Sequence, residues 1–353
     1  SDASGRYHSN WLNMMYPRLK LARNLLKEDG VIFISIDDNE IDNLKKACNE
    51  IFGEENLIGQ VIWKNKYGAG AKTKGFIEVH EYILAYSKTP IYNIESPLNE
   101  DVKKTYSKKD SKFETRGGYF TQPIMTNSMD DRPNLQYSIW HEGVEIKPRK
   151  QWVWSKERLE KAIENDEIVF NLKKDGEYSV RAKQYLVAED GQERLGKPLS
   201  LLNGPFTQEG TADIKNIFKE NVFGFTKPVN LLKYLYSFRV NEKESEDEIY
   251  LDFFSGSGTS AEAIMKQNLK DNLNRKYILV QLPEQTAEGS DSRKAGYEYI
   301  TSIGKERIKR VSSKLKEEHP DKAKDLDLGF KVFKLDSSNI KAWSPEAENL
   351  EQN

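Results

Sequence analysis

The chain is 353 residues long with a mass of 40.8 kDa, enough for one large core or two modest domains. A hydrophobic content of 37% and a formal net charge of -2 suit a globular protein and exclude nucleic-acid binding through overall charge, so any such contact needs a local basic patch. The single cysteine, Cys48, excludes an internal disulfide and a thiolate metal cluster and points to a reducing, cytoplasmic compartment, and no apolar run is long enough to cross a membrane.

From Trp11 to Lys27 the recurrence of Leu12, Met15, Leu19, Ala22 and Leu26 predicts an amphipathic helix, with Pro17 as a start or kink. Val31 to Ile36 reads as a buried strand. Asp37, with Glu40 three residues on, fits an acidic N-cap opening a helix to about Phe52, where Cys48 is packing. Strands are predicted near Ile58 to Trp63 and Val79 to Tyr86. The segment between them, Lys64 to Gly75, is glycine-rich and lysine-dense, and a plain surface loop and a phosphate-contacting one are both open readings. His80 has no clustered partner and reads as structural, and Lys88-Thr89-Pro90 marks a boundary.

The character of the chain changes over residues 91–220. Asp101 to Ala162 holds thirteen Lys or Arg against nine Asp or Glu, a local excess of four positive charges. Tyr106, Phe113, Tyr119, Phe120, Tyr137, Trp140, Trp152 and Trp154 are interleaved with them. Cations beside aromatics are what a surface gripping a nucleic-acid backbone and reading base edges needs, while buried Trp and Tyr would equally serve a small irregular domain. Tyr178 to Val187 alternates as a strand does. Thr207 to Glu220 is polar and predicts loop with a short helix.

Thr226 is placed to cap a helix with Pro228 in its first turn and Val229, Leu232, Leu235 and Tyr236 on its apolar face. An acidic connector leads to Ile249-Tyr250-Leu251-Asp252-Phe253, which reads as a buried parallel strand. Ser255-Gly256-Ser257-Gly258 then makes a side-chain-poor turn, and Thr259 or Ser260 can cap the following helix. Strand, glycine turn and helix N-terminus together form a ligand cradle. The spacing of Gly256, Gly258 and Ala261 also satisfies a dinucleotide pattern, but the next strand, Tyr277 to Leu282, ends on Gln281 rather than an acid, and Asp252 opposes a pyrophosphate. Tyr297 to Leu315 predicts a helix with Ile300, Ile303, Ile308, Val311 and Leu315 inward and Lys305, Arg307, Lys309, Arg310 and Lys314 on a basic outer side. Lys331 to Leu335 reads as a late strand.

In order and motif these elements resemble the beta group of DNA amino-methyltransferases, especially the modification subunit of type III restriction-modification systems. Leu251-Asp252-Phe253-Phe254-Ser255-Gly256-Ser257-Gly258-Thr259 is similar to that family's cofactor motif, with Phe254, Gly256 and Gly258 at its Phe-x-Gly-x-Gly core. Thr226-Lys227-Pro228 resembles a second cofactor-side motif. His8 to Leu19, Gly30 to Asp38, His80 to Lys88 and Gln281-Leu282-Pro283-Glu284 are similar too, and Gly329 to Asn339 resembles the type III group in particular. The family's catalytic loop, Asp-Pro-Pro-Tyr or a variant, is not matched. Its place in the family precedes the helix at Trp11, so the resemblance predicts that Ser1 begins inside a longer protein, that this piece is inactive alone, and that its catalytic residues are unknown.

The resemblance implies an α/β, Rossmann-like methyltransferase sheet, circularly permuted, with an inserted α+β target-recognition region. Its divisions would be a base-side half over 1–90, recognition over 91–220, and a cofactor-side half with a C-terminal extension over 221–353. The strand at Ile249 is expected beside Val31 to Ile36 in one mostly parallel sheet. The implied reaction is methyl transfer from S-adenosylmethionine to N6 of a flipped-out adenine in double-stranded DNA. Asp252 and the Gly256–Gly258 turn, with Phe254 and Thr259, would face the methionine part of that cofactor, Lys227 and Pro228 would border the pocket, and Gln281 would stand where relatives often place a ribose-binding acid. A second copy of the chain and a restriction/helicase subunit are the implied protein partners, and no metal is. Two other readings stay open: an NAD-dependent oxidoreductase built on the same turn, and a non-catalytic DNA-binding fragment.

Overall fold

The computed structural model describes residues 8–68, 74–127, 130–241 and 248–335. Its elements mix helices and strands, an α/β fold in two compact units. One unit holds the described residues of Ser1–Gly210 and Asn230–Ser245, the other those of Thr211–Val229 and Glu246–Asn353.

In the first unit, helix α1 (Ser9–Leu25) runs through Pro17 instead of starting there. It buries Met15, Leu19 and Ala22, as the spacing predicts. Strand β1 (Val31–Ile36) follows, then α2 (Ile41–Phe52), which buries Leu44, Ala47, Cys48 and Phe52. Asp37 does not cap α2: its carboxylate accepts the Asn39 amide at 3.1 Å in a local turn, and the helix opens after Glu40 with no side-chain cap. Burial pushes the Cys48 thiol up to about 12, so it is inert packing. Strands β2 (Leu57–Lys64) and β3 (His80–Ser87) match their predicted places. The sheet order is β1-β3-β2-β4, where β4 is Leu201–Asn203 and pairs parallel with β2, while the β1-β3 and β3-β2 pairings are antiparallel. Leu84 and Tyr86 lie with α1 and α2 on one side of this sheet, and Trp63 and Ile83 with Leu231 and Leu235 on the other. The ring of His80 meets Tyr82 edge-on, a structural contact. Of the lysine-glycine segment before it, residues 69–73 lie outside the described residues.

The middle of the chain, in the same unit, has its own small core. A three-stranded antiparallel sheet of Ile168–Leu172, Tyr178–Tyr185 and Tyr119–Pro123 packs with helix Lys156–Glu164 around Ile124, Trp152, Leu159, Ala162, Val180 and Ala182. Trp152 is fully buried, donates to the Tyr137 carbonyl at 2.8 Å and stacks on the Tyr137 ring, whereas Trp140 stands 68% exposed. Lys183, nearly buried, pairs with Asp110 at 2.8 Å and Asp166 at 3.0 Å, and Arg116 and Lys112 both reach Glu167. Many of the aromatics and cations counted in the sequence therefore hold this subdomain together.

Helix α3 (Thr207–Phe218) is longer than predicted, because Ile214, Ile217 and Phe218 supply a buried stripe that its polar residues mask. Helix α4 (Val229–Tyr236) is not capped by Thr226; the Asp213 carboxylate accepts the Val229 amide at 2.9 Å. In the second unit, β5 (Ile249–Asp252) and β6 (Lys276–Leu279) form a parallel pair joined by helix α5 (Thr259–Asp271). Ala261, Met265 and the partly buried Tyr277 and Leu279 meet helix α6 (Ile300–Glu318) through Ile303, Ile308, Val311 and Leu315. β5 is parallel as predicted but not buried throughout: Ile249 is 56% exposed, and Leu251 and Ile278 face outward with it.

The sheet of the first unit is mostly antiparallel where a mostly parallel one was expected. Among the described residues β1 pairs with β3 in the first unit and β5 with β6 in the second, each at the edge of its own sheet. β1 is zipped along its full length to β3, β5 reaches its parallel neighbour through the α5 crossover, and no described strand bridges their remaining edges. Residues 331–335 form no strand, and Phe333 and Leu335 are exposed.

Candidate cofactor-binding site

The glycine turn is braced by hydrogen bonds within the second unit. Gly258 donates its amide to the Ser255 carbonyl at 2.8 Å, and Gly256 and Gly258 take φ of 51° and 77°, backbone that a side chain disfavours. Asp252, at the end of β5, braces the turn: its carboxylate accepts the Phe254 amide at 3.1 Å and the Ser260 hydroxyl. Gln281, just beyond β6, accepts the Gly256 amide through Oε1 at 2.8 Å. Five of the predicted residues, Asp252, Phe254, Gly256, Gly258 and Gln281, are thus tied together by the turn's own hydrogen bonds. Phe254 leaves its ring half exposed against Phe253.

The capping expectation is corrected. Gly258 occupies the N-cap of α5 in left-handed conformation and has no side chain to cap with, while Thr259 and Ser260 lie inside the helix and are turned to other partners. Ser260 bonds Asp252, and Thr259 Oγ1 accepts from Arg307 Nη1 at 2.8 Å. Arg307 itself corrects the predicted basic outer side of α6, since it is fully buried. Its Nε donates to Glu262 Oε2 at 2.7 Å and its Nη1 to Ser257 Oγ at 2.9 Å. Glu262 is also buried and pairs with Lys266 at 2.6 Å.

Lys227 and Pro228 are brought to the same unit by their neighbours. A methyl group on Gly256 would stand 3.6 Å from the Phe223 ring, so the strand of chain entering Lys227 packs on the turn. Asp213, which holds the Val229 amide just after Pro228, has its carboxyl raised by burial, a rise opposed by that amide, by Lys266 and by Arg307. Thr226, 4% exposed, keeps a buried hydroxyl with no protein hydrogen-bond partner.

Phe223, Asp213, Glu262 and Arg307 were not singled out as site residues by sequence reasoning, though two left a trace. Arg307 sits four residues from both Ile303 and Val311, on the apolar stripe itself, and Glu262 is a lone acid among Ala261, Ala263, Ile264 and Met265. Phe223 and Asp213 act across turns and left no pattern to read.

These residues fit a small polar cofactor. The turn offers backbone free of Cβ atoms, a carboxylate and an amide stand at the ends of adjacent strands, and a buried hydroxyl awaits a partner. Among the described residues no group of His, Cys, Asp or Glu is arranged to hold a metal, and no helix is long and apolar enough to cross a membrane.

The family model N6_N4_Mtase, described as DNA methylase, matches residues 2–317. The type III restriction-modification enzyme StyLTI Mod subunit of Salmonella typhimurium is 34% identical over 93% of this chain and 49% of its own length. The EcoP15I Mod subunit of Escherichia coli is 30% identical over 93% of this chain and 53% of its own. The type II methyltransferase M.KpnI of Klebsiella pneumoniae is 32% identical over 88% of this chain and 76% of its own. The chain spans about half the length of the Mod subunits it matches. With the matched model running through nearly all of it, glycine turn included, the chain belongs to the DNA methylase family.

Proposed function

We propose that this chain serves in an S-adenosylmethionine-dependent DNA methyltransferase that modifies adenine N6, as the modification subunit of a restriction-modification system. The observation supporting it most directly is the braced glycine turn, Asp252 to Thr259 with Gln281, in a chain of the DNA methylase family whose relatives include Mod subunits. S-adenosylmethionine supplies a sulfonium-bound methyl group. The chain's part is to bind and orient: the Gly256–Gly258 backbone admits the ligand closely, Asp252 offers a carboxylate to an ammonium, and Gln281 offers its amide to ribose hydroxyls. Phe254 supplies an apolar wall, Thr259 fixes the helix side of the turn, and Lys227 and Pro228 border the pocket.

Residues 91–220 serve target recognition on double-stranded DNA, between a base-side region over 1–90 and a cofactor-side region over 221–353. The exposed Trp140 beside the local positive excess supports that assignment. A second copy and a restriction subunit complete the assembly, in the cytoplasm. The test is tritium transfer from methyl-labelled S-adenosylmethionine to duplex DNA by the full-length gene product. Label recovered on adenine N6 is expected; label on cytosine, or none with a folded protein, would overturn the reading.

A further inference from the structure

We propose that Arg307 is a positioning residue for the cofactor turn, holding the Ser257 and Thr259 hydroxyls behind it so that the Gly256–Gly258 backbone is set for the ligand before it arrives. The proposal rests on the reading of that turn as the S-adenosylmethionine site. Arg307 is fully buried, and one guanidinium nitrogen, Nη1, holds both hydroxyls, at 2.9 Å and 2.8 Å. Its Nε is fixed on the buried Glu262 at 2.7 Å, so the fork is locked by a helix that begins at the turn itself.

A second contact comes from the same face of α6, one helical turn earlier. Gly304 lies against the glycine backbone, where a methyl group on Gly258 would stand 3.4 Å from both its Cα and its carbonyl oxygen. Gly304 therefore seats the backbone while Arg307 draws back the two hydroxyls flanking Gly258. Left alone, Ser257 and Thr259 would be free to turn to nearby amides, the habit that makes such residues caps elsewhere. A pre-set turn lowers the ordering cost of binding, which is why the effect should appear in affinity.

The test is a double-mutant cycle read by calorimetric titration of S-adenosylmethionine, with thermal unfolding of the same ligand-free samples. Arg307→Lys keeps the charge but loses the fork, and Ser257→Ala/Thr259→Val removes what the fork holds. Each should weaken binding about tenfold, the scale of a charge-assisted hydrogen bond, and the combination should be no weaker than either alone. Fully additive losses, or an Arg307→Lys protein binding as wild type, would overturn the proposal and leave Arg307 as packing. If Arg307→Lys does not fold, the hydroxyl variant decides: weaker binding at an unchanged melting temperature supports the clamp, unchanged binding rejects it. If the wild type binds no S-adenosylmethionine, the cofactor reading fails separately. Hydrogen exchange of the Gly256 to Ser260 amides in the ligand-free protein then decides, faster exchange in the hydroxyl variant supporting the clamp and equal rates overturning it.

Discussion

At the scale of single residues, side chains with two obligations govern this molecule. Asp252 orders the turn through the Phe254 amide and the Ser260 hydroxyl, and in the proposed function it is also the carboxylate offered to a ligand. Asp252→Asn keeps the shape and removes the charge, so S-adenosylmethionine binding should weaken at least tenfold while thermal unfolding moves little, a split that titration and melting would reveal. Gly258 has no such latitude. Its φ of 77° strains any Cβ, and Gly258→Ala should cost about 1–2 kcal/mol in denaturant unfolding. Asp110 shows how charge holds the middle region. Burial would raise its carboxyl, but bonds from Lys183, Tyr185 and the Lys112 amide outweigh burial and hold it below the usual carboxylate range. A depressed carboxylate adds stability above its unfolded value of 3.8, and that stability drains away as pH falls through the lower folded value. Melting followed from pH 6 to pH 2, roughly the span over which carboxylates titrate, should show this loss in the wild type and a smaller one in Asp110→Asn, which should already be less stable at pH 6.

At the scale of elements, apolar periodicity was a dependable guide wherever it was strong. Met15, Leu19 and Ala22 bury as their spacing predicts, and Val31 to Ile36 is a strand over its full predicted span. What escaped the sequence was anything decided by a partner distant along the chain. Asp213, sixteen positions away, caps the helix that Thr226 was expected to cap. Arg307 counted with the basic outer side of its helix, and its pairing with Glu262 makes its burial tolerable. Lys331 to Leu335 alternates like a strand but pairs with no strand among the described residues. Of the candidate site, the turn itself was legible because a tight glycine bend is a local property; its bracing was not. Asp213→Ala should remove the cap on Val229 and cost about 1 kcal/mol in thermal unfolding. An unchanged melting temperature would show that the Asp213 contact contributes nothing to holding that helix.

At the scale of the whole molecule, membership of the DNA methylase family agrees with the motif order read from the sequence, while the first unit's sheet is more antiparallel than expected. Order along the chain is recorded in the sequence, whereas sheet neighbours depend on which strands find each other, and β1 and β5 each keep an unpaired edge among the described residues. The function then turns on whether the braced glycine bend is where S-adenosylmethionine sits. Ultraviolet cross-linking of methyl-labelled S-adenosylmethionine to the protein, followed by peptide mapping, asks this directly. Label should fall on peptides containing Phe254 to Thr259 or Phe223 to Pro228, be displaced by unlabelled S-adenosylmethionine, and resist excess NAD. Label mapped to other peptides, or removed by NAD, would contradict the assignment of this turn as a methyl-donor site.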